Sequence, residues 1–124
     1  MVVGVGIDLV EIGRIERALR RERFTRKILT EHEEAYCTAV RNRTPQAVAG
    51  RWAAKEAVIK ALGVKYAPRE IEILNDPLGG PHVKIHSPHF DAGRLRVYVS
   101  ITHERTHAAA VAIVERIVIH RAAV

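Results

Sequence analysis

Apolar and small or polar positions alternate from Val3 to Leu9. That two-residue period predicts a strand over Val2–Leu9, with Val3, Val5, Ile7 and Leu9 on one face and Gly4, Gly6 and Asp8 on the other. Two glycines beside an aspartate leave the second face bare, so another group can approach the backbone closely there. The period then changes. Ile12, Ile15 and Leu19 recur at helical spacing and predict a helix from about Glu11 to Arg23 with one apolar stripe. Thr30, with Glu33 three residues on, is a capping-box pattern for a second helix through Tyr36 and Val40. Thr44-Pro45 marks the N-cap and first position of a third helix, which runs to Leu62 and stops at Gly63.

The second half has strand character. Glu70–Leu74 and His82–His86 flank Asn75-Asp76-Pro77-Leu78-Gly79-Gly80, a run dense in turn formers. Leu95–Ile101 and His107–Val114 form a second candidate pair across the Thr102–Thr106 loop. No internal repeat or low-complexity linker interrupts the 124 residues. The expectation is one α+β domain over residues 1–124, a mainly antiparallel sheet with helices packed on it.

The third helix is apolar almost all round, as a buried helix is, yet it carries Arg51, Lys55, Glu56 and Lys60. Buried charges are costly unless paired or bound to a metal. Arg51/Lys55 and Glu56/Lys60 are i, i+4 neighbours. One reading is a Glu56–Lys60 ion pair; the other has Glu56 facing a divalent cation and Lys60 facing the anion that cation neutralises. Asp8 divides similarly. It is either an N-cap with Glu11 completing a box, or a carboxylate standing on the bare glycine face to bind a hard cation such as Mg²⁺.

Other chemistry is thinner. His82, His86 and His89 invite a zinc site, but no cysteine partners or helical H-E-x-x-H pattern support one. His103 differs from the other histidines because it falls in a loop after a strand end, beside Ser100 and Thr102. The single cysteine, Cys37, allows no intrachain disulfide and reads as a small buried hydrophobe in a reducing compartment. P-loop, dinucleotide-fingerprint and serine-elbow patterns are absent. Asp8 falls where a signal peptide's apolar core would lie, and no apolar run approaches a membrane span, so a cytoplasmic protein is expected.

Charge adds a second site. The chain carries a net charge of +6, and +5 of it lies within residues 13–29: Arg14, Arg17, Arg20, Arg21, Arg23, Arg26 and Lys27 against Glu16 and Glu22. On a helical wheel Arg14, Arg17 and Arg21 fall opposite the Ile12–Ile15–Leu19 stripe, which predicts a basic face turned outward. Such a face attracts an acidic partner. With aromatics at 5% there is no stacking platform for nucleic acid, and the apolar side is too slight for a membrane-surface helix.

Four strings together resemble the bacterial holo-acyl-carrier-protein synthases, of the 4′-phosphopantetheinyl transferase superfamily. They are Gly4-Val5-Gly6-Ile7-Asp8-Leu9-Val10-Glu11-Ile12-x-Arg14-Ile15, Phe24-x-x-Lys27-Ile28-Leu29-Thr30-x-x-Glu33, Gly50-Arg51-Trp52-Ala53-Ala54-Lys55-Glu56-Ala57-x-x-Lys60-Ala61-Leu62-Gly63, and Ser100-Ile101-Thr102-His103-Glu104 followed by Ala108–Ala110. The resemblance implies transfer of 4′-phosphopantetheine from coenzyme A to a serine of an apo acyl carrier protein. It further implies a need for Mg²⁺, release of adenosine 3′,5′-bisphosphate, a role in fatty acid biosynthesis, and a homotrimer with sites between neighbouring subunits. By motif matching Asp8 and Glu56 hold Mg²⁺, and Lys60 contacts the pyrophosphate. Arg51, His103 and the Gly80-Pro81 turn hold the nucleotide end; Arg14 and Arg21 dock the acidic carrier. Glu56 or a water held by the cation takes the serine proton. The chain departs from the family in the short Gly63–Arg69 loop, which carries one glycine where a glycine-rich loop is frequent, and in Trp52, where Phe is frequent. The competing reading is a non-catalytic basic module that binds nucleic acid or another acidic partner.

Overall fold

A computed structural model describes residues 1–118, with Arg41 described in its backbone alone; His120 and the rest of the tail lie outside them. Strand β1 (Val2–Glu11) leads into short helices α1 (Ile12–Ala18) and α2 (Glu22–Ile28), then α3 (Glu31–Ala39). A 3₁₀ turn (Arg41–Arg43) precedes the long helix α4 (Thr44–Leu62), and a second one (Pro68–Glu70) precedes strand β2 (Ile71–Asn75). Strands β3 (Pro81–Ile85), β4 (Leu95–His103) and β5 (His107–Arg116) complete the fold. All pairings are antiparallel: β1-β5-β4 form one sheet, and β2-β3 a separate hairpin.

Helix α4 lies on the three-stranded sheet, chiefly over β1 and β5. Small side chains let it approach. Ala108, Ala110 and Ala112 of β5 are buried beneath it, as are Ala53, Ala54 and Ala57 of the helix. The group that approaches the glycine face of β1 is therefore α4 itself: a methyl on Gly4 would lie 1.9 Å from the Ala61 carbonyl oxygen, and one on Gly6 2.0 Å from that of Ala57. The opposite face is open. Val5, Ile7 and Leu9 are 62%, 68% and 65% exposed, and Ile113 and Tyr98 lie beside Val5 in register.

Several local expectations hold. Thr30 caps α3 in a complete box with Glu33, and Gly63 ends α4 in the left-handed region at φ 69°. Others do not. The basic segment forms two helices rather than one: α1 stops at Ala18, Arg21 becomes the N-cap of α2, and Phe24 packs on Trp52 with ring centroids 6.2 Å apart. Asp8 is no N-cap, because β1 continues through Glu11, and Glu11 occupies the cap position with no side-chain hydrogen bond. Helix α4 starts one residue early, with Arg43 at its N-cap; the Thr44 hydroxyl donates back to the Cys37 carbonyl at 2.9 Å. Cys37 is 1% exposed, and burial pushes its thiol up to about 11.

The buried charge of α4 is answered from elsewhere in the chain. Lys55 donates to Glu33 Oε1 at 2.7 Å and to the carbonyls of Pro68 and Ile71 at 2.8 and 2.5 Å, which uses all three of its protons. Glu33 in turn accepts from the Thr30 and Ile73 N–H groups. Burial lowers the Lys55 pKa, and the Glu33 carboxylate beside it pulls the other way. This pair ties α3, α4 and β2 together.

Candidate active site

Two clefts flank α4. Asp8, Ala110 and Ile101 form one row across the sheet, and Val10, Ala108 and His103 the next. Asp8 shares one cleft with Trp52 and Glu56 of α4, while Ile101 and His103 share another with Gly50 and Arg51 on the opposite side of the helix.

The first cleft, of about 340 Å³, is lined by Asp8, Glu11, Arg14, Trp52, Glu56 and His107 among others. Trp52, Glu56 and Lys60 recur every four residues and so share one side of α4. Lys60 Nζ donates to Asp8 Oδ1 at 3.1 Å and to the Ile7 carbonyl at 3.0 Å. The ion pair expected between Glu56 and Lys60 is thus made with Asp8 instead, because the glycine face of β1 brings the Asp8 carboxylate against the helix. The Lys60 side chain is 54% exposed, so this pair is worth at most about 1 kcal/mol. Glu56, half-buried, has no hydrogen bond or ion pair among the described residues. Two oxygen donors with unfilled lone pairs suit a hard cation that keeps most of its water, as Mg²⁺ does. They do not suit an all-protein zinc cage: no group of three or more His, Cys, Asp or Glu among the described residues is placed to hold a metal. Of the three histidines considered for zinc, His82 lies against Asp76 at 3.2 Å and His86 against Glu72 at 3.0 Å.

The second cleft, of about 320 Å³, is lined by Tyr36, Arg43, Gln46, Gly50, Arg51, Asn75, Gly79, Pro81, Ile101 and His103 among others. Arg51 is 5% exposed. Its guanidinium lies 4.0 Å over the Tyr36 ring, and Nη2 donates to Asn75 Oδ1. Arg51 Nε and Gln46 Oε1 are buried without a partner among the described residues. A buried polar atom left unpaired costs about 1–3 kcal/mol, so a ligand with an acceptor and a donor at this wall gains what the protein leaves open. His103 is the last residue of β4 rather than a loop residue. Gly80 sits behind the wall formed by Gly79 and Pro81. Its N–H donates to Asp76 Oδ1 at 2.8 Å, and a methyl there would meet Asp76 Oδ2 at the same distance. That bond and the one from Leu78 hold the Asp76 carboxyl below its usual range.

The structure therefore brings Asp8, Glu56 and Arg14 to one cleft, with Lys60 bonded to Asp8 beside it, and Arg51, His103 and Pro81 to the other. Arg21, exposed at the start of α2, lines neither. Tyr36, Gln46 and Asn75 were not singled out by sequence, since nothing local marks a residue that meets its partner across a fold.

Residues 4–112 match the sequence profile of the 4′-phosphopantetheinyl transferase superfamily. The holo-[acyl-carrier-protein] synthase of Clostridium perfringens is 39% identical, with 93% of this chain and 95% of that protein covered. That of Nitratidesulfovibrio vulgaris is 43% identical, covering 93% and 99%. Among solved structures, the Bacillus anthracis holo-(acyl-carrier-protein) synthase in complex with CoA (3′,5′-ADP) superposes with a TM-score of 0.82 at 36% identity, covering 94% of this chain and 98% of that one. The Neisseria meningitidis enzyme gives 0.83 at 30%, covering 94% and 100%. Fold and sequence agree over nearly the whole chain, which belongs to the 4′-phosphopantetheinyl transferase superfamily, among the holo-[acyl-carrier-protein] synthases.

Proposed function

We propose that this chain transfers 4′-phosphopantetheine from coenzyme A to a serine of an apo acyl carrier protein, dependent on Mg²⁺, with release of adenosine 3′,5′-bisphosphate, and so serves fatty acid biosynthesis. The observation that carries the reading is the division of labour along α4. One helix presents Glu56 and Lys60 beside Asp8 on one side and a buried arginine with an open Nε on the other. The relative from Bacillus anthracis, with CoA (3′,5′-ADP) bound, supports coenzyme A as the donor.

In this reading Asp8 and Glu56 hold Mg²⁺, which, when bound, neutralises charge on the pyrophosphate. Lys60 exchanges its weak surface pair with Asp8 for the pyrophosphate oxygens. Arg51, fixed by Tyr36 and Asn75, meets the phosphates of the nucleotide end, with His103 and Pro81 on the same wall and Gly80 supporting Pro81 from behind it. Arg14 stands at the mouth of the acidic cleft, where a docked carrier delivers its serine, and Arg21 extends the basic surface along α2.

The two clefts lie on opposite sides of α4, so a long ligand is served more simply by clefts of neighbouring copies. The exposed Val5, Ile7 and Leu9 face supports such assembly, since an apolar strip of this kind marks an interaction surface. A homotrimer with sites between subunits accommodates both features.

The test is direct. The protein is incubated with coenzyme A, Mg²⁺ and an apo carrier, and the carrier is weighed by mass spectrometry. A gain of one phosphopantetheine group is expected, abolished by a chelator and by Asp8→Asn or Glu56→Gln. An unmodified carrier, when another transferase does load it, refutes the assignment.

A further inference from the structure

The turn between β4 and β5 builds a second device at the acidic cleft. Glu104 Oε1 accepts from the Thr106 N–H at 2.8 Å and from the Thr106 hydroxyl at 2.5 Å. His107 Nδ1 lies 2.8 Å from that hydroxyl oxygen and 3.3 Å from Glu104 Oε1. The carboxylate only accepts, and the hydroxyl has already given its proton to Glu104. Both neighbours of Nδ1 are therefore acceptors, and Nδ1 carries the ring proton. The neutral ring is left with its lone pair on Nε2, which has no protein partner among the described residues. His107 lines the same cleft as Asp8 and Glu56. A carboxylate that fixes the tautomer of a histidine and supports its positive form is the arrangement that activates a hydroxyl nucleophile.

We propose that His107, oriented by Glu104 and Thr106, is the catalytic base that takes the proton from the carrier serine. This rests on the transferase reading above, in which the proton acceptor is otherwise Glu56 or a water held by the cation. The serine oxygen bonds to the phosphorus that carries the pantetheine group. The bond from that phosphorus to the bridging pyrophosphate oxygen breaks, and adenosine 3′,5′-bisphosphate leaves with the electron pair. The serine proton passes to Nε2 and from there to solvent. The titratable groups that share its cleft are Glu11 of β1, its register partner, Asp8, Arg14 of α1 and Glu56 of α4, and Glu104 lies against it in the turn. Bonds from the Thr106 hydroxyl and N–H, then from His107, hold Glu104 at about 2, so it stays anionic throughout the working range.

The test separates chemistry from turn structure. His107→Asn keeps a side-chain N–H that can reach Glu104 and Thr106 but removes the Nε2 acceptor. Its kcat should fall about 10²–10⁴-fold, with KM for coenzyme A and for the carrier within twofold of wild type and the unfolding midpoint unchanged. In His107→Ala, added imidazole should restore at least tenfold of the lost kcat. Glu104→Gln should lower kcat with KM unchanged. A His107→Asn enzyme within threefold of wild-type kcat overturns the proposal. So does a loss that imidazole leaves untouched, since that marks a structural histidine. Wild type is assayed beside every variant: if it fails to load the carrier, the transferase reading itself is refuted, whereas a fully active variant refutes His107 alone.

Discussion

The seat of α4 on β1 is the contact on which the acidic cleft depends, and Gly6→Ala perturbs it with one methyl group. That methyl would lie 2.0 Å from the Ala57 carbonyl oxygen, 2.8 Å from the Ala61 nitrogen and 3.0 Å from the Ala57 carbonyl carbon. All three are backbone atoms of a helix interior, so no side-chain rotation relieves the clash. Either α4 lifts from the sheet by about an ångström or β1 bends away, and in both cases the buried alanine layer loses contact. Overpacking of this kind costs about 1–3 kcal/mol, which for a chain of this size lowers the unfolding midpoint by roughly 4–12 °C. The same lift separates Glu56 and Lys60 from Asp8, so transfer activity should fall as well. Gly13→Ala is the matched control: its methyl would meet only the flexible end of Arg17, at 3.7 Å, and alanine gains up to about 1 kcal/mol over glycine within a helix. Thermal unfolding followed by circular dichroism, with wild type, Gly6→Ala and Gly13→Ala side by side, measures both. A Gly6→Ala midpoint within about 1 °C of wild type, or an equal loss in Gly13→Ala, would refute the close-approach argument.

Lys55→Met strands the buried Glu33 carboxylate and should destabilise by about 3–5 kcal/mol in urea unfolding; adding Glu33→Gln should recover part of that loss, because the amide needs no counter-ion. Arg14→Glu with Arg21→Glu should raise KM for an acidic carrier at least tenfold at low salt and leave KM for coenzyme A within twofold; equal effects on both would move this surface to the nucleotide site. The Cys37 thiol is raised to about 11 against an unfolded value near 8.5. Its contribution to stability is therefore complete below about pH 8.5 and is lost as pH climbs toward 11. A native-state thiol reagent at pH 8 should accordingly label Cys37 only as fast as the chain opens.

Where a signal was local, the residues carried it. The Thr30–Glu33 box, the stop at Gly63, both β-hairpins and the apolar length of α4 are each set within a few positions by capping, backbone freedom or periodicity. Partners distant in sequence were not legible. Helical spacing offered Glu56 to Lys60 and Arg51 to Lys55. The fold instead gives Lys60 to Asp8, 52 residues away, and Lys55 to Glu33, 22 away. The break after Ala18 has no glycine or proline to announce it; Phe24 docking on Trp52 accompanies it. The alternation in β1 separates the two faces of the strand as its period predicts, but which face meets the helix depends on α4, and the glycine side does so because only it admits a helix backbone so closely. The site was legible as residue types and only partly as an arrangement: Asp8 and Glu56 share a cleft, while Tyr36, Asn75 and Gln46 became visible around Arg51 only in three dimensions.

The order β1-β5-β4 has a consequence for how the molecule is made. Among the described residues the middle strand is the last one, and the first strand pairs with it, Val2 opposite Glu115. The hairpin β4-β5 closes locally, yet the sheet that seats α4 waits for contacts spanning almost the whole sequence. High contact order of this kind places folding in the slower, millisecond-to-second range. During synthesis, β1 and its exposed valines and isoleucine must remain unpaired until His107–Arg116 leaves the ribosome, so the nascent chain carries an unpaired apolar strand, open to aggregation, for as long as that segment is not yet made.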